Sequence, residues 1–327
     1  MTDGQLSPPP VLLQALQDSD LQWALLDHME EGLYIVDNHR HILYWNSAAE
    51  HITGYTAMSV TGRSCSDGIL AHCDADGTPI CGDRCPLLSV MADGKPRECN
   101  VFLRHKQGHR MPVRVRSRAI RDSGGAITGA VEVFGSTSPP RAHIAHIENF
   151  GCCDDVTGVA NRAYGELRAN HAIEGLERFG IPFGWIAIAL DRSAELEQRN
   201  GHGFIDSAVR VISRTLDNIL GPLDIIARWS RTEFRVLIRR GENYDLLETG
   251  RRAVVLSQCS RVAWWGDTVE VTVSAGAALA ERGDSFHALE ARAAEALAAS
   301  QSGGGNRAAL RHPGAVEFAA VNPALLE

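Results

Sequence analysis

The chain has 327 residues, 44% of them hydrophobic and 22% charged, and a formal net charge of −8 at pH 7. That length accommodates two cores of ordinary size, and the acidic balance argues against a general nucleic-acid binder. No apolar run approaches the ~20 residues that span a bilayer, and the opening MTDGQLSPPPVLLQALQDSD has no basic stretch ahead of an apolar core, so a cytoplasmic location without membrane attachment is expected.

In chain order, residues 1–20 read as a loose leader with a short helix from Val11. LQWALLDHMEE predicts a helix, GLYIVD and HILYWN two short strands joined by NHR, and SAAEHITGY short helical pieces. A long cysteine-containing loop follows. ECNVFLRHK, HRMPVRVRSRAIRD and AITGAVEVFG then alternate apolar and polar residues, as half-buried strands of an antiparallel meander do, with turns at KQGH and DSGG. GSTSPP breaks the pattern at residues 135–140. Residues 137–152 place Ile144, Ile147 and Phe150 at helical spacing and predict a linker helix.

The second region opens with CDDVTGVANRAYGELR. A buried strand WIAIAL, a helix GFIDSAVRVISRTLDNIL, a hairpin of DIIARW and FRVLI, a helix YDLLETGRRAVVLSQ, a strand VEVTVSAGAAL and a helix ALEARAAEALAAS follow. HPGAVEFAAVNPALLE lacks periodicity, and residues 313–327 read as a tail. The fold class is therefore α+β and α/β in two domains, the second palm-like or ferredoxin-like. At the hairpin tip stand Ser230, Arg231 and Thr232, where Gly, Asn or Asp is expected if the turn needs positive φ.

Asp37 at the end of the first strand and YWNSAAEHITGY after the second make residues 21–136 similar to a PAS sensor domain. That resemblance implies dimerisation and a pocket for a small ligand. Residues 153–312 resemble the GGDEF domain of bacterial diguanylate cyclases. DDVTGVANR resembles the family's Asp-x-Leu-Thr-Gly-Leu-x-Asn-Arg, GHGFID its Gly-His-x-x-Gly-Asp, VTVSAGAA its fourth strand and GGGNR its closing Gly-Arg-Asn-Arg.

The resemblance implies a two-metal reaction joining two GTP molecules into cyclic di-GMP, for which hard oxygen ligands hold Mg²⁺. Aligned on Phe234, the signature reads Ser230, Arg231, Thr232, Glu233, Phe234: both glycines are replaced, and Thr232 stands at the metal carboxylate. Glu233 remains at the position associated with activating the attacking hydroxyl. Counted back from Gly201, the first metal aspartate falls on Ala189, with Asp191 as the second acid of the pair. The alternative register makes Asp191 the ligand. Glu197 and Asp206 fall on the guanine-contacting positions, and Gln301 and Gly305 on the two phosphate cations. The inhibitory Arg-x-x-Asp reads GPLD, with Gly221 for Arg and Asp224 retained. The implied site lacks the groups that neutralise a triphosphate, so no Mg-GTP is expected.

Cys65, Cys73, Cys81 and Cys85, with His72, lie in the 65–85 insert. Three readings stay open: thiols filling a small core, a zinc or iron–sulfur centre for which a helical turn would aim Cys81 and Cys85 at one metal, or a reversible disulfide such as Cys81 with Cys85. Cys152 and Cys153 are expected to pack against the linker. Three functions follow from the resemblance: a PAS-controlled adaptor whose degenerate output domain binds a protein partner, a sensor of GTP or cyclic di-GMP, and an atypical active cyclase. A homodimer through the PAS domain and linker is expected, with no DNA partner.

Overall fold

In the computed structural model, residues 19–138, 151–239, 243–312 and 315–319 are described. The expected leader helix from Val11 and the Ile144, Ile147, Phe150 stripe of the expected linker helix lie outside them. Two compact units emerge. One gathers Met1–Ala71, Cys81–Asn100 and Val113–Ser136; the other gathers His72–Ile80, Val101–Pro112 and Thr137–Glu327.

The alternating segments of the first region form a five-stranded sheet in the order β2-β1-β5-β4-β3. These strands are β1 (Gly32–Asp37), β2 (Ile42–Trp45), β3 (Arg97–Arg104), β4 (Arg110–Arg121) and β5 (Ile127–Ser136). Antiparallel ladders join β1 to β2, β1 to β5 and β4 to β5. The helices are α1 (Ser19–Asp27), α2 (Ser47–Thr53), α3 (Ala57–Val60) and α4 (Pro86–Asp93). Asn46 explains the turn from β2 into α2. Its Oδ1 accepts from Leu33 N and Ala49 N, and its Nδ2 donates to the carbonyls of Leu26 and Glu31, so this buried amide is saturated. Tyr34, Trp45 and Phe134 meet with ring centroids 5.4–6.2 Å apart.

In the second unit, β6 (Gly184–Leu190) is buried along its whole length, as its unbroken apolar run predicts. The sheet runs β13-β12-β11-β6-β8-β7. Its other strands are β7 (Ile225–Arg228), β8 (Glu233–Ile238), β11 (Val273–Leu279), β12 (Ala308–His312) and β13 (Ala315–Phe318). Ile186, Ile188 and Leu190 join one core with α7 (His202–Ile219) and α8 (Asn243–Gln258). Trp185, Ala187 and Ala189 point to the opposite core, with α5 (Arg162–Phe179) and α9 (Phe286–Ser302). Helix α9 crosses β11 so closely that a Cβ on Gly276 would lie 1.9 Å from Leu297 N. Helix α6 (Ser193–Asn200) precedes α7.

Two expectations need correction. VEVTVSAGAAL is not one strand. Its start belongs to a separate hairpin, β9 (Val262–Trp264) with β10 (Asp267–Val269), turned by Trp265 and Gly266 at φ 49° and 91°. Residues 313–327 are not wholly a tail, because Ala315–Phe318 pairs antiparallel with β12; four residues are too few to show a period. Cys152 and Cys153 pack against the core of Ala160 and Tyr164 at the start of the second domain, where a bridge pairs Cys153 with Ala160.

Candidate functional site

The hairpin β7–β8 carries the segment Ser230–Phe234 that resembles the family signature. No residue from Trp229 to Thr232 has positive φ. The expectation that this tip demands a left-handed residue is therefore overturned, and side chains at Ser230, Arg231 and Thr232 carry no backbone penalty. Trp229 N donates to the Glu233 carbonyl at 2.8 Å, closing the turn. From beneath, the buried Arg228 donates to the carbonyls of Ser230 and Arg231 and lies over the Phe234 ring, 5.5 Å from its centroid.

Arg231 reaches out from the tip to the α6–α7 corner. Its Nη1 donates to Glu197 Oε1 at 2.6 Å, and its Nη2 donates to the His202 carbonyl at 3.1 Å. His202 also pairs with the Glu197 carboxylate. Thus Glu197, a guanine-contacting position by resemblance, is engaged by a side chain that stands where the resemblance places glycine. Asp206, one turn into α7, is partly exposed; burial pushes the Arg228 guanidinium down, and the nearby Asp154 and Asp206 carboxylates oppose that shift.

On the neighbouring strands, Ala189 sits opposite Glu233 on one side and Ser274 on the other, and Leu190 N donates to the Thr232 carbonyl at 2.9 Å. Ala189 and Thr232 are therefore adjacent, and neither offers a carboxylate. Asp191 is buried and committed: Oδ1 accepts from Ser274 Oγ at 2.7 Å and Oδ2 from Asn306 N at 2.9 Å. Glu233 pairs with Arg235 at 3.0 Å, and Arg235 also grips Glu290, whose Oε2 accepts from Trp185 Nε1 at 2.6 Å.

Gln301 is exposed near the end of α9. Gly305 has φ +75°, and a Cβ there would lie 3.1 Å from the Asp191 carboxylate. At the former inhibitory motif, Asp224 is buried and folds onto its own loop, accepting from Gly221 N at 2.7 Å and Arg239 N at 2.9 Å. The opening DDVTG segment is a structural turn: Asp154 caps Thr157, and Ala160 bonds into β7 through Ile226 and Arg228.

The four insert cysteines divide between the two units. Cys65, Cys81 and Cys85 belong to the first unit, Cys73 and His72 to the second. Cys81 and Cys85 do not share a helical turn either, since Cys85 is the N-cap of α4 and the Cys81 carbonyl accepts from Arg40. Burial pushes the Cys65 thiol up to about 12, reinforced by the nearby Cys85 and Glu132, so it stays a neutral thiol at pH 7. Burial, with Arg110 close by, pushes His72 down to about 4. Among the described residues, no group of three or more His, Cys, Asp or Glu side chains is arranged to hold a metal ion, and none of the eight cysteines is in a disulfide. No helix among them is long and apolar enough to cross a membrane. Between the strands of the first region, Glu132 is buried and accepts from Tyr34 OH at 2.6 Å and Ser117 Oγ at 2.9 Å.

Sequence reasoning missed the reach of Arg231 to Glu197; a basic residue where the resemblance places glycine marks the spot but not its partner.

Comparison with known proteins matches a diguanylate cyclase GGDEF domain model to residues 152–307 and a PAS domain model to residues 30–135. The probable diguanylate cyclase DgcE of Escherichia coli strain K12 is 22% identical over 298 residues, 91% of this chain. The chain spans only 27% of that relative's length. The crystal structure of the diguanylate cyclase SiaD with its activator SiaC, from Pseudomonas aeruginosa, is 21% identical with a TM-score of 0.49, covering 51% of this chain and 64% of that one. The GGDEF domain of DgcB from Caulobacter crescentus, in complex with c-di-GMP, is 24% identical with a TM-score of 0.47, covering 49% and 93%.

Proposed function

For a chain that carries a PAS domain followed by a GGDEF domain of the diguanylate cyclase family, we propose a signalling role in which the GGDEF domain has lost catalysis and acts as a regulatory, protein-binding module. The PAS domain (residues 21–136) governs that module (residues 153–312) in cyclic di-GMP signalling, and the chain works as a homodimer. The observation that carries this reading is the Arg231–Glu197 pair at the hairpin tip. A cyclase needs that approach open for a nucleotide base, and it needs carboxylates at the adjacent positions held by Ala189 and Thr232. Here a cation bridges the approach while the metal positions are neutral.

Chemistry supports the same reading. A hydroxyl and a methyl group cannot offset the charge of a Mg²⁺–triphosphate complex, and Glu233 has little to do as a base when no substrate is positioned beside it. Asp191 is held by Ser274 and Asn306. The nucleotide-sensor reading rests on Asp206 alone, and the Glu197 carboxylate beside it is occupied. Calorimetric titration of the whole chain with GTP and Mg²⁺ tests the proposal: no saturable heat is expected. Stoichiometric Mg²⁺-dependent binding would replace the adaptor reading with a sensor or an enzyme.

A further inference from the structure

The hairpin β9–β10 turns on Trp265 and Gly266, where a left-handed backbone calls for Gly, Asn or Asp. A bulky side chain at φ 49° is sterically disfavoured, and Trp265 recovers little by packing, because it stays 90% exposed. Its neighbour differs. Trp264 stands edge-on to Phe204, ring centroids 5.6 Å apart, and donates from Nε1 to the Asn200 carbonyl at 3.1 Å. Trp264 therefore fastens the hairpin to the α6–α7 corner, and folding gives Trp265 no comparable task.

Between this hairpin and α6 lies a cleft of about 830 Å³, with Arg192 and Arg199 on the helix side and Trp265 and Asp267 on the hairpin side. Arg192, the N-cap of α6, is also left-handed, at φ 47°, and its side chain makes no capping bond. Two side chains in that sparsely populated region thus line one cleft, and such strain gathers at working surfaces. Arg199 forms no ion pair, although Glu195 stands one turn before it at a spacing that favours one. Arg192 and Asp267 are likewise unpaired among the described residues, whereas Glu270, on the hairpin side, is held by Arg261 at 2.7 Å. The helix wall is net positive, the hairpin wall is net negative, and the two do not satisfy each other.

An interface between identical copies about a twofold axis requires a patch that complements itself. We infer that this cleft is a self-association surface of the GGDEF domain: a second copy of this chain, turned about a twofold axis, seats its β9–β10 hairpin against this α6 and receives this hairpin against its own. Each Asp267 then meets the cationic wall of the other copy, and each Trp265 leaves water. The indoles are the anchors and the charges set the register. The contact gives the homodimer proposed above a surface and rests on that part of the reading; it does not depend on the loss of catalysis.

The test uses the full chain with p-benzoylphenylalanine in place of Trp265. Under ultraviolet light a covalent band at twice the chain mass of 35.5 kDa is expected, and peptide mapping should place the link in α6 or the hairpin. Arg199→Glu or Asp267→Arg, added singly to that protein, should lower the yield roughly tenfold or more. Arg199→Glu with Asp267→Arg should restore it, because each copy then carries both reversed halves. Links confined to one chain, a yield unmoved by the single reversals, or no recovery in the double variant would overturn the interface. The photoreactive residue in place of Arg199 gives an independent map, whose links must fall on the hairpin of the second copy, so a hairpin disturbed by replacing Trp265 leaves the test standing. Sedimentation of the unsubstituted chain separates the two failures. A dimer without the expected links overturns this surface alone, and a monomer overturns the homodimer reading with it.

Discussion

Arg231 Nη1 lies 2.6 Å from Glu197 Oε1, so the tip of the β7–β8 hairpin is joined to the α6–α7 corner across the opening where the family resemblance places the guanine base. The pair is partly exposed on both sides, and pairs of that kind contribute about 0–1 kcal/mol to stability. Its consequence is steric and electrostatic occupancy rather than strength.

Opening the tip alone is not enough to restore a nucleotide site. Thr232→Asp or Arg231→Gly singly should give no Mg²⁺-dependent GTP binding by calorimetry. Ala189→Asp, Ser230→Gly, Arg231→Gly, Thr232→Asp and Gln301→Lys together should give measurable binding. If Thr232→Asp alone binds GTP, Asp191 must leave Ser274 and Asn306 to serve as the second ligand, and the register assigning Ala189 is wrong.

Gly305 should be kept in any such reconstruction. At φ +75°, with the Asp191 carboxylate 3.1 Å from a built Cβ, Gly305→Arg should lower unfolding free energy by about 1–2 kcal/mol in urea titration, without improving GTP binding. An unchanged urea midpoint would show that the loop relaxes freely.

Glu290 anchors two partners at once, the Arg235 guanidinium and the Trp185 indole N–H. Glu290→Ala leaves Arg235, which is 5% exposed, with Glu233 as its remaining carboxylate among the described residues. The expected loss is roughly 2–3 kcal/mol, below the ~3–5 kcal/mol of a fully buried broken pair because Glu290 keeps some exposure. Equilibrium denaturation measures it, and a loss under about 0.5 kcal/mol on the surface-pair scale would contradict the network's role.

In the first region, burial pushes Glu132 up to about 6 from an ordinary value of 4.5, although Tyr34 and Ser117 hydrogen-bond its carboxylate. A raised folded-state value means the contribution is fully present below about pH 4.5 and is lost as pH rises through about 6. The difference corresponds to about 2 kcal/mol. Glu132→Gln should therefore match wild type in acid and gain about 2 kcal/mol relative to it at pH 7. Parallel urea curves with the same gap at pH 4.5 and pH 7 would refute the assignment.

The period-two segment HRMPVRVRSRAIRD became β4 because burial of one sheet face leaves its alternation in the sequence. The continuous run WIAIAL became the central β6 for the complementary reason, burial on both faces. What was hidden depends on contacts distant in the chain. Nothing near Arg231 indicates that it meets Glu197, 34 residues earlier. The insert cysteines left three readings open from sequence alone; which side chains they meet, as Cys65 meets Cys85, Cys81 and Glu132, is set by the fold. The turn at Ser230 was misjudged because φ is set by the closing hydrogen bond from Trp229 to Glu233, not by residue type alone.

The most direct test of the central claim is a product assay. The purified 327-residue chain is incubated with GTP and Mg²⁺, or Mn²⁺, and cyclic di-GMP is quantified by chromatography with mass detection. The account predicts no product above the protein-free control, with or without reductant. Cyclic di-GMP that accumulates with time and disappears in Glu233→Ala would contradict it.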